Sequence, residues 1–351
     1  MLQDELRPSA YDPLTLSGDN FARTTSRQIE LAANHLRSGQ IVAFPTETVY
    51  GLGADITQPQ AIEKIFKIKG RPSNHPLIAH FADMTDLEYW ASEIPTAAWL
   101  LAEQFWPGPL TLILPKSNRI PASITGGQDT VGLRIPRHPI AQALLRALGT
   151  RKAIAAPSAN RFGHLSPTAA MHVREEFKNE IGVILDGGSC EVGLESTIVS
   201  CIGKTVTLLR PGGISVDAIE NVLTQKILGN PVSHSVRASG SLPAHYAPDT
   251  PLEICSTGSD LWIRARWFQQ QGKRTAILTH TPLPDAHKKQ LDFILMPDNP
   301  VTYGKILYAT LRRLDQLGYD QLLIEAPPSR LDWLAVTDRL QRASYHYLKQ
   351  S

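Results

Sequence analysis

Short apolar runs recur along the chain at 41–44, 110–114, 131–135, 153–156, 183–185, 197–201 and 206–209, and stretches with helical spacing lie among them at 62–69, 97–105, 140–148 and 169–177. Runs this short read as buried strands, and strands alternating with helices commit a chain to helices packed on a sheet. At 26–38, Ile29, Leu31, Ala32 and Leu36 have helical spacing, and Gly39 stops the helix before the run 41–44. The closeness of 197–201 and 206–209 around Gly203 predicts a hairpin, so the sheet should be mixed. After Ile214 a short helical pattern ends near Gly229, and 230–250 is rich in Pro, Ser, Thr and Gly, a linker composition. The alternation then restarts, with strands at 252–255, 275–279, 293–296 and 321–325 and helices at 261–268, 303–317 and 331–348. Leu307, Leu311, Leu314 and Leu317 fall on one helical face. The expected architecture is α/β: a twisted mixed sheet with helices over 1–215, a linker or lid over 216–250, and a smaller Rossmann-like domain over 251–351. A length of 351 residues suits two cores. Nothing in the second domain looks catalytic.

Five blocks in the first domain place Gly or Pro beside a hydroxyl, amide or guanidinium: 45–53 (PTETVYGLG), 69–72 (KGRP), 157–160 (PSAN), 196–197 (ST) and 210–213 (RPGG). Such groups suit a ligand with several phosphate oxygens, held by side chains and by backbone that approaches closely. Their expected location is at strand ends, where α/β proteins gather ligand contacts.

Other patterns exclude alternatives. Gly203-Lys204-Thr205 lacks the upstream glycine of a phosphate loop, because that position is Ile198, and Gly51-Leu52-Gly53 lacks the third glycine of a dinucleotide fingerprint, because that position is Ile56. His75 and His80 stand without the Cys or His spacing of a metal site, and Ser189 lacks the closing glycine of a nucleophile elbow. A formal charge of +2 and 7% aromatic residues argue against wholesale nucleic-acid binding. Three cysteines, Cys190, Cys201 and Cys255, fit small buried residues in a reducing cytoplasm. Residues 1–20 mix charged with isolated apolar residues, which reads as neither signal peptide nor membrane anchor.

In order and spacing, the segments IVAFPTETVYGLGAD, KIKGRPSNHPLIAH, WPGPLTLIL, TVGLRIPRHP, AAPSANRFGHLSPT, GLESTIVS, LLRPGGI and HYAP resemble the YrdC-type domain of threonylcarbamoyl-AMP synthases, in the longer two-domain form. The resemblance covers 26–250 and, more weakly, the C-terminal domain. It implies that L-threonine, bicarbonate and ATP give threonylcarbamoyl-AMP and pyrophosphate, the first step toward threonylcarbamoyladenosine at tRNA position 37. Both reacting species are anions, so cations and oriented donors should carry the rate rather than a covalent nucleophile. Lys69 and Arg71 supply charge, Arg71 as a bidentate grip and Lys69 as a mobile point charge. Ser158 and Asn160 would bind phosphate or adenosine groups.

By resemblance, Thr130, Ser166, Arg210 and Tyr246 join Arg71 and His75 around ATP, while Thr48, His80, Arg134, Ser196 and the Ala156 carbonyl line the threonine pocket. Mg2+ would ride on the phosphates, held by ligand oxygens and water rather than by protein side chains. Implied partners are the downstream enzymes that transfer the threonylcarbamoyl group to tRNA, with weak tRNA contact and no membrane. Two departures stand out: His75 replaces a frequent Asn, and Leu242 replaces the lysine of a Lys-Tyr pair before His245-Tyr246-Ala247-Pro248. A lid formed by 239–248 would thus work without an extra cation. The rival readings are a carbamoyl-adenylate-handling enzyme of the hydrogenase-maturation type, whose acylphosphatase-like and zinc-finger segments are not visible, and an RNA-binding ribosome-assembly module.

Overall fold

A computed structural model describes residues 24–203, 205–228, 236–240, 245–282 and 291–348. The N-terminal stretch 1–20, Lys204 and the Leu242 position lie outside them. Among the described residues, one compact unit holds 24–162 and 166–240, and the other holds 163–165 and 245–348.

The strands of the first unit are β1 (Val42–Phe44), β2 (Gly51–Asp55), β3 (Ile78–His80), β4 (Leu110–Pro115), β5 (Thr130–Arg134), β6 (Ile154–Ala155), β7 (Val183–Ile184), β8 (Thr197–Ser200) and β9 (Thr207–Arg210). They form one sheet in the order β7-β1-β2-β6-β3-β5-β4-β8-β9. Only β1–β7, β3–β5 and β4–β8 run parallel, and β8–β9 is the expected hairpin. The helices are α1 (Ser26–Arg37), α2 (Pro59–Lys69), α3 (Leu87–Trp90), α4 (Thr96–Phe105), α5 (Ala122–Thr125), α6 (Pro139–Leu148), α7 (Ala170–Phe177) and α8 (Val216–Leu223). Helix α1 starts on a reciprocal capping box between Thr25 and Gln28. With α6 it buries Ala32, Leu36, Leu144 and Leu145 against Val42, Phe44 and Ile154.

Strand β2 runs through Gly51-Leu52-Gly53, which carries little strand propensity. Its glycines serve packing: a Cβ on Gly53 would lie 2.7 Å from Ile154 Cγ2 and 2.8 Å from Phe44 Cε1. The short β3 also escaped the apolar-run reading. The mixed sheet corrects the expectation about strand ends, since it has no single carboxyl edge. Thr130 starts β5 and Arg134 ends it, about 13 Å apart at strand rise. Residues at alternate positions share a face, as do cross-strand partners, so Thr130, Gly132 and Arg134 lie on one face with Ile78 and His80 of β3. The blocks therefore converge on a sheet face. Over β1 and β6 that face is covered by α1 and α6; over β3, β4 and β8 it receives Ala238, which packs with Ile78, Ile113 and Ile198.

The second unit is a parallel sheet in the order β10-β13-β11-β12, built from β10 (Leu252–Cys255), β11 (Thr275–Thr279), β12 (Asp292–Leu295) and β13 (Gln321–Glu325). It carries α9 (Gly258–Gln270), α10 (Pro300–Gln316) and α11 (Leu334–Leu348). Leu307, Leu311 and Leu314 of α10 are buried as their stripe predicts, while Leu317 is the half-buried C-cap. The helix expected over 331–348 begins as a 3-10 turn at Leu331–Trp333. All three cysteines are buried and free.

Candidate active site

Helix α2 ends at Lys69 because Gly70 takes the left-handed conformation, φ 62°, and turns the chain toward Arg71. Lys69 is 3% exposed, and its ammonium donates to the carbonyl of Ser158 at 2.7 Å and to that of Asn160. The Phe162 amide returns a 2.7 Å bond to the Lys69 carbonyl. This corrects the expected mobile point charge: Lys69 is a fixed stitch between α2 and the 158–162 loop. Burial, reinforced by Arg71, holds its ammonium pKa well below the lysine range. The other side of the loop is pinned to β2, where Leu52 N donates to Pro157 O at 2.8 Å and Gly51 bridges to Ser158. Asn160 Nδ2 donates to Arg161 O at 2.7 Å.

Arg71 Nη2 donates to Pro76 O at 3.0 Å and reaches Ser239 Oγ at 3.4 Å. Its guanidinium lies 5.9 Å from the Phe162 ring, and the half-buried His75 meets the same ring edge-on at 5.5 Å. Burial and then the Arg71 and Arg237 charges lower the His75 pKa, which favours neutral imidazole.

From the far edge of the sheet, Arg210 Nε and Nη2 donate to Ser196 O at 3.1 and 2.8 Å, Nη2 reaches Ser196 Oγ at 3.1 Å, and Nη1 reaches Ser239 O at 2.9 Å. Ser196 Oγ shares a 2.7 Å bond with Thr111 Oγ1, and Ser166 donates to the buried Glu195 carboxylate. Gly212 lets this turn close, since a Cβ there would sit 2.4 Å from Glu195 O and Thr197 N. Ser239 thus joins Arg71 to Arg210. Its segment is held by Arg237, whose guanidinium donates to Asn74 O at 3.0 Å and Gly126 O at 2.7 Å.

Of the residues expected around threonine, two stand side by side on neighbouring strands. His80 and Arg134 are register partners. Arg134, 4% exposed, donates through Nε to Gly108 O at 3.2 Å and through Nη2 to Glu47 Oε1 at 2.7 Å, while Nη1 has no partner among the described residues. Thr48, beside Glu47, shares a 2.8 Å bond with Thr46. The Ala156 amide donates to Ile78 O at 3.0 Å. Thr130 is half-buried at the start of β5, on the face that Arg134 occupies.

His80 is 3% exposed with Nδ1 unsatisfied, and burial, followed by the Arg134 charge, drives its pKa to about 3. Its sign on stability is definite. The unfolded imidazole takes up a proton below about pH 6.5, and the folded one does not until near pH 3. The unfolded state binds more protons across that window, so stability falls as pH drops from 6.5. The loss by pH 5 is about 2 kcal/mol, and His80→Gln should remove that part of the slope in thermal unfolding followed between pH 7 and 5.

Tyr246 packs among residues of its own unit. It belongs to the second unit, 1% exposed with φ 60°, its ring 5.8 Å from Tyr308 and 5.1 Å from the Arg339 guanidinium. Ala247 N donates to Gly163 O at 2.8 Å beside it. The structure adds Glu47, Thr111, Phe162 and Ser239 to the sequence-derived set. Glu47 and Phe162 stood inside or beside the quoted blocks, and a buried carboxylate next to an arginine is legible only once the strands are paired. Among the described residues no group of three His, Cys, Asp or Glu side chains could hold a metal, and no helix is long and apolar enough to cross a membrane.

Comparison with known proteins identifies the family. The Sua5_yciO_yrdC family model, described as telomere recombination, matches residues 34–212, and the model described as threonylcarbamoyl-AMP synthase, C-terminal domain, matches 214–344. The chain is 40% identical over 333 residues to a threonylcarbamoyl-AMP synthase of Pyrococcus abyssi, covering 92% of this chain and 96% of the relative. It is 40% identical over 331 residues to that of Bacillus subtilis, covering 92% and 94%. The crystal structure of P. abyssi Sua5 complexed with L-threonine superposes with a TM-score of 0.83 at 38% identity, over 92% of this chain and 95% of that one. With both family models matched in sequence and nearly the whole length shared, this chain belongs to the two-domain threonylcarbamoyl-AMP synthase family of enzymes.

Proposed function

We propose that the chain is an L-threonylcarbamoyladenylate synthase, a nucleotidyltransferase that makes threonylcarbamoyl-AMP and pyrophosphate from L-threonine, bicarbonate and ATP. The observation that carries this reading is the pairing of two cationic groups on one sheet face: Arg71 and Arg210, joined at Ser239, and Arg134 with neutral His80 in register on β5 and β3. The first group suits the phosphates, with Ser158, Asn160, His75, Thr130 and Ser166 as further donors. The second suits the amino acid, with Arg134 Nη1 for its carboxylate and Thr48, Ser196 and the Ala156 carbonyl for its hydroxyl and amine.

In the first step the threonine amine takes up the carbon of bicarbonate and water leaves, giving a carbamate. In the second a carbamate oxygen attacks the α-phosphorus and pyrophosphate departs. Arg71 and Arg210 reduce the repulsion between the two anions, and Lys69 acts by fixing the Ser158–Asn160 loop. Mg2+ would reduce phosphate charge when carried in with ATP; the described side chains do not form a cage for it, and no step here depends on one. Residues 1–215 are the proposed catalytic part, 216–250 the closing segment and 251–351 the accessory domain. The product would pass in the cytoplasm to enzymes that transfer the threonylcarbamoyl group to tRNA, with weak tRNA contact.

The test is pyrophosphate release from ATP by the purified chain. Release that needs both threonine and bicarbonate and disappears in Arg71→Ala is the expected result. Release indifferent to threonine would overturn the reading.

A further inference from the structure

We infer that Glu47 sets the amino-acid specificity of this site, by balancing the charge of Arg134 so that the pocket accepts a net-neutral zwitterion and rejects a plain carboxylate. The inference rests on the assignment of Arg134 to the threonine carboxylate. Glu47 is 1% exposed and its two carboxylate oxygens have separate duties: Oε1 accepts from Arg134 Nη2 at 2.7 Å, and Oε2 accepts from the Arg137 amide at 2.9 Å. Its backbone carbonyl accepts from Val192 N at 2.8 Å, and the next carbonyl, of Thr48, accepts from Gly193 N at 3.1 Å. The carboxylate is therefore locked against the end of β5. Together with Gly108 O it consumes the Nε and Nη2 donors of the guanidinium, which leaves Nη1 for a ligand.

Burial pushes the Glu47 pKa up, yet the Arg134 charge, its hydrogen bond and the Arg137 amide outweigh this and hold it below the usual carboxylate range. Glu47 is thus negative at neutral pH, Arg134 positive, and His80 neutral. Their charges sum to zero. A bare guanidinium in such a buried place would attract any carboxylate or phosphate oxygen, because interactions there are weakly screened. Paired with Glu47, it repays little of the cost of stripping water from a net anion, and a zwitterion has a second charge to set against the carboxylate. The same balance acts after the first step. Carbamoylation turns the ammonium end into an anion, which a net-neutral pocket does not hold and which the Arg71 and Arg210 side attracts.

The test compares L-threonine with 3-hydroxybutyrate, which is threonine without its amino group, by calorimetry on the full chain. The wild type should prefer threonine strongly, Glu47→Gln should shrink the ratio of the two affinities at least tenfold, and Glu47→Asp should keep most of it. A ratio is insensitive to the fraction of a variant that is folded, and the wild-type comparison needs no variant. Equal binding of both compounds by the wild type, or an unchanged ratio in Glu47→Gln, would overturn the inference. Absence of threonine binding by the wild type would instead overturn the assignment of function on which it rests.

Discussion

Lys69→Met should lower threonine-dependent pyrophosphate release at least a hundredfold. The lysine ammonium sits between the carbonyls of Ser158 and Asn160, 3% exposed. Methionine matches the stem in volume but leaves two carbonyls without their charged donor, at about 1–3 kcal/mol for each buried group left unmade. The loop can recover part of this by swinging toward water, which moves the Ser158 hydroxyl and Asn160 amide. A displacement of about 1 Å in positioning groups is enough to cost on the order of a hundredfold in rate. Lys69→Arg should not rescue, since a planar fork is no replacement for a compact ammonium in a closed site. Rate and thermal midpoint measured together check this. Both should fall; a variant with an unchanged midpoint and no activity would place the lysine on the nucleotide instead of on the loop.

The alternation of apolar runs and helical spacing made both α/β units legible in the sequence, because it reports burial, and burial is what a sheet covered by helices imposes. Strand β2 was not legible, since Gly51 and Gly53 make room for Phe44 on β1, Ile154 on β6 and Ala156 just after it, and the last two lie far away in sequence. The residue types of the site could be read for the same reason that its geometry could not. Arginine beside proline and glycine announces anion binding wherever it stands. Which face or edge it stands on depends on strand order, and a sheet with β3–β5 parallel but β4–β5 antiparallel distributes its blocks over a face. Lys69 shows the limit most clearly: a Lys-Gly-Arg block reads as two ligand cations, and only the folded loop reveals that one of them is spent on backbone carbonyls.

Arg134→Met should destabilise the chain by about 3–5 kcal/mol, the cost of leaving one member of a buried ion pair alone, and should abolish threonine dependence. The two losses have different causes and separate in a second variant. With Arg134 gone, the Glu47 carboxylate loses the charge and the hydrogen bond that hold its pKa down, and burial remains as the main influence. Its folded pKa then lies above the unfolded value. The penalty is fully present above that folded pKa and fades as pH falls and the carboxyl takes up a proton. Glu47→Leu added to Arg134→Met removes the stranded charge and should recover most of the stability at pH 7, since replacing both members of a buried pair by apolar groups is often neutral. The stability gap between the single and double variants should narrow from pH 7 to 5, when chemical unfolding is followed at each pH. Threonine binding should stay lost in the double variant at every pH, because the Nη1 donor is absent whether or not the fold has been repaired. Recovery of threonine binding along with stability would mean that Arg134 serves the fold alone and that another group holds the carboxylate.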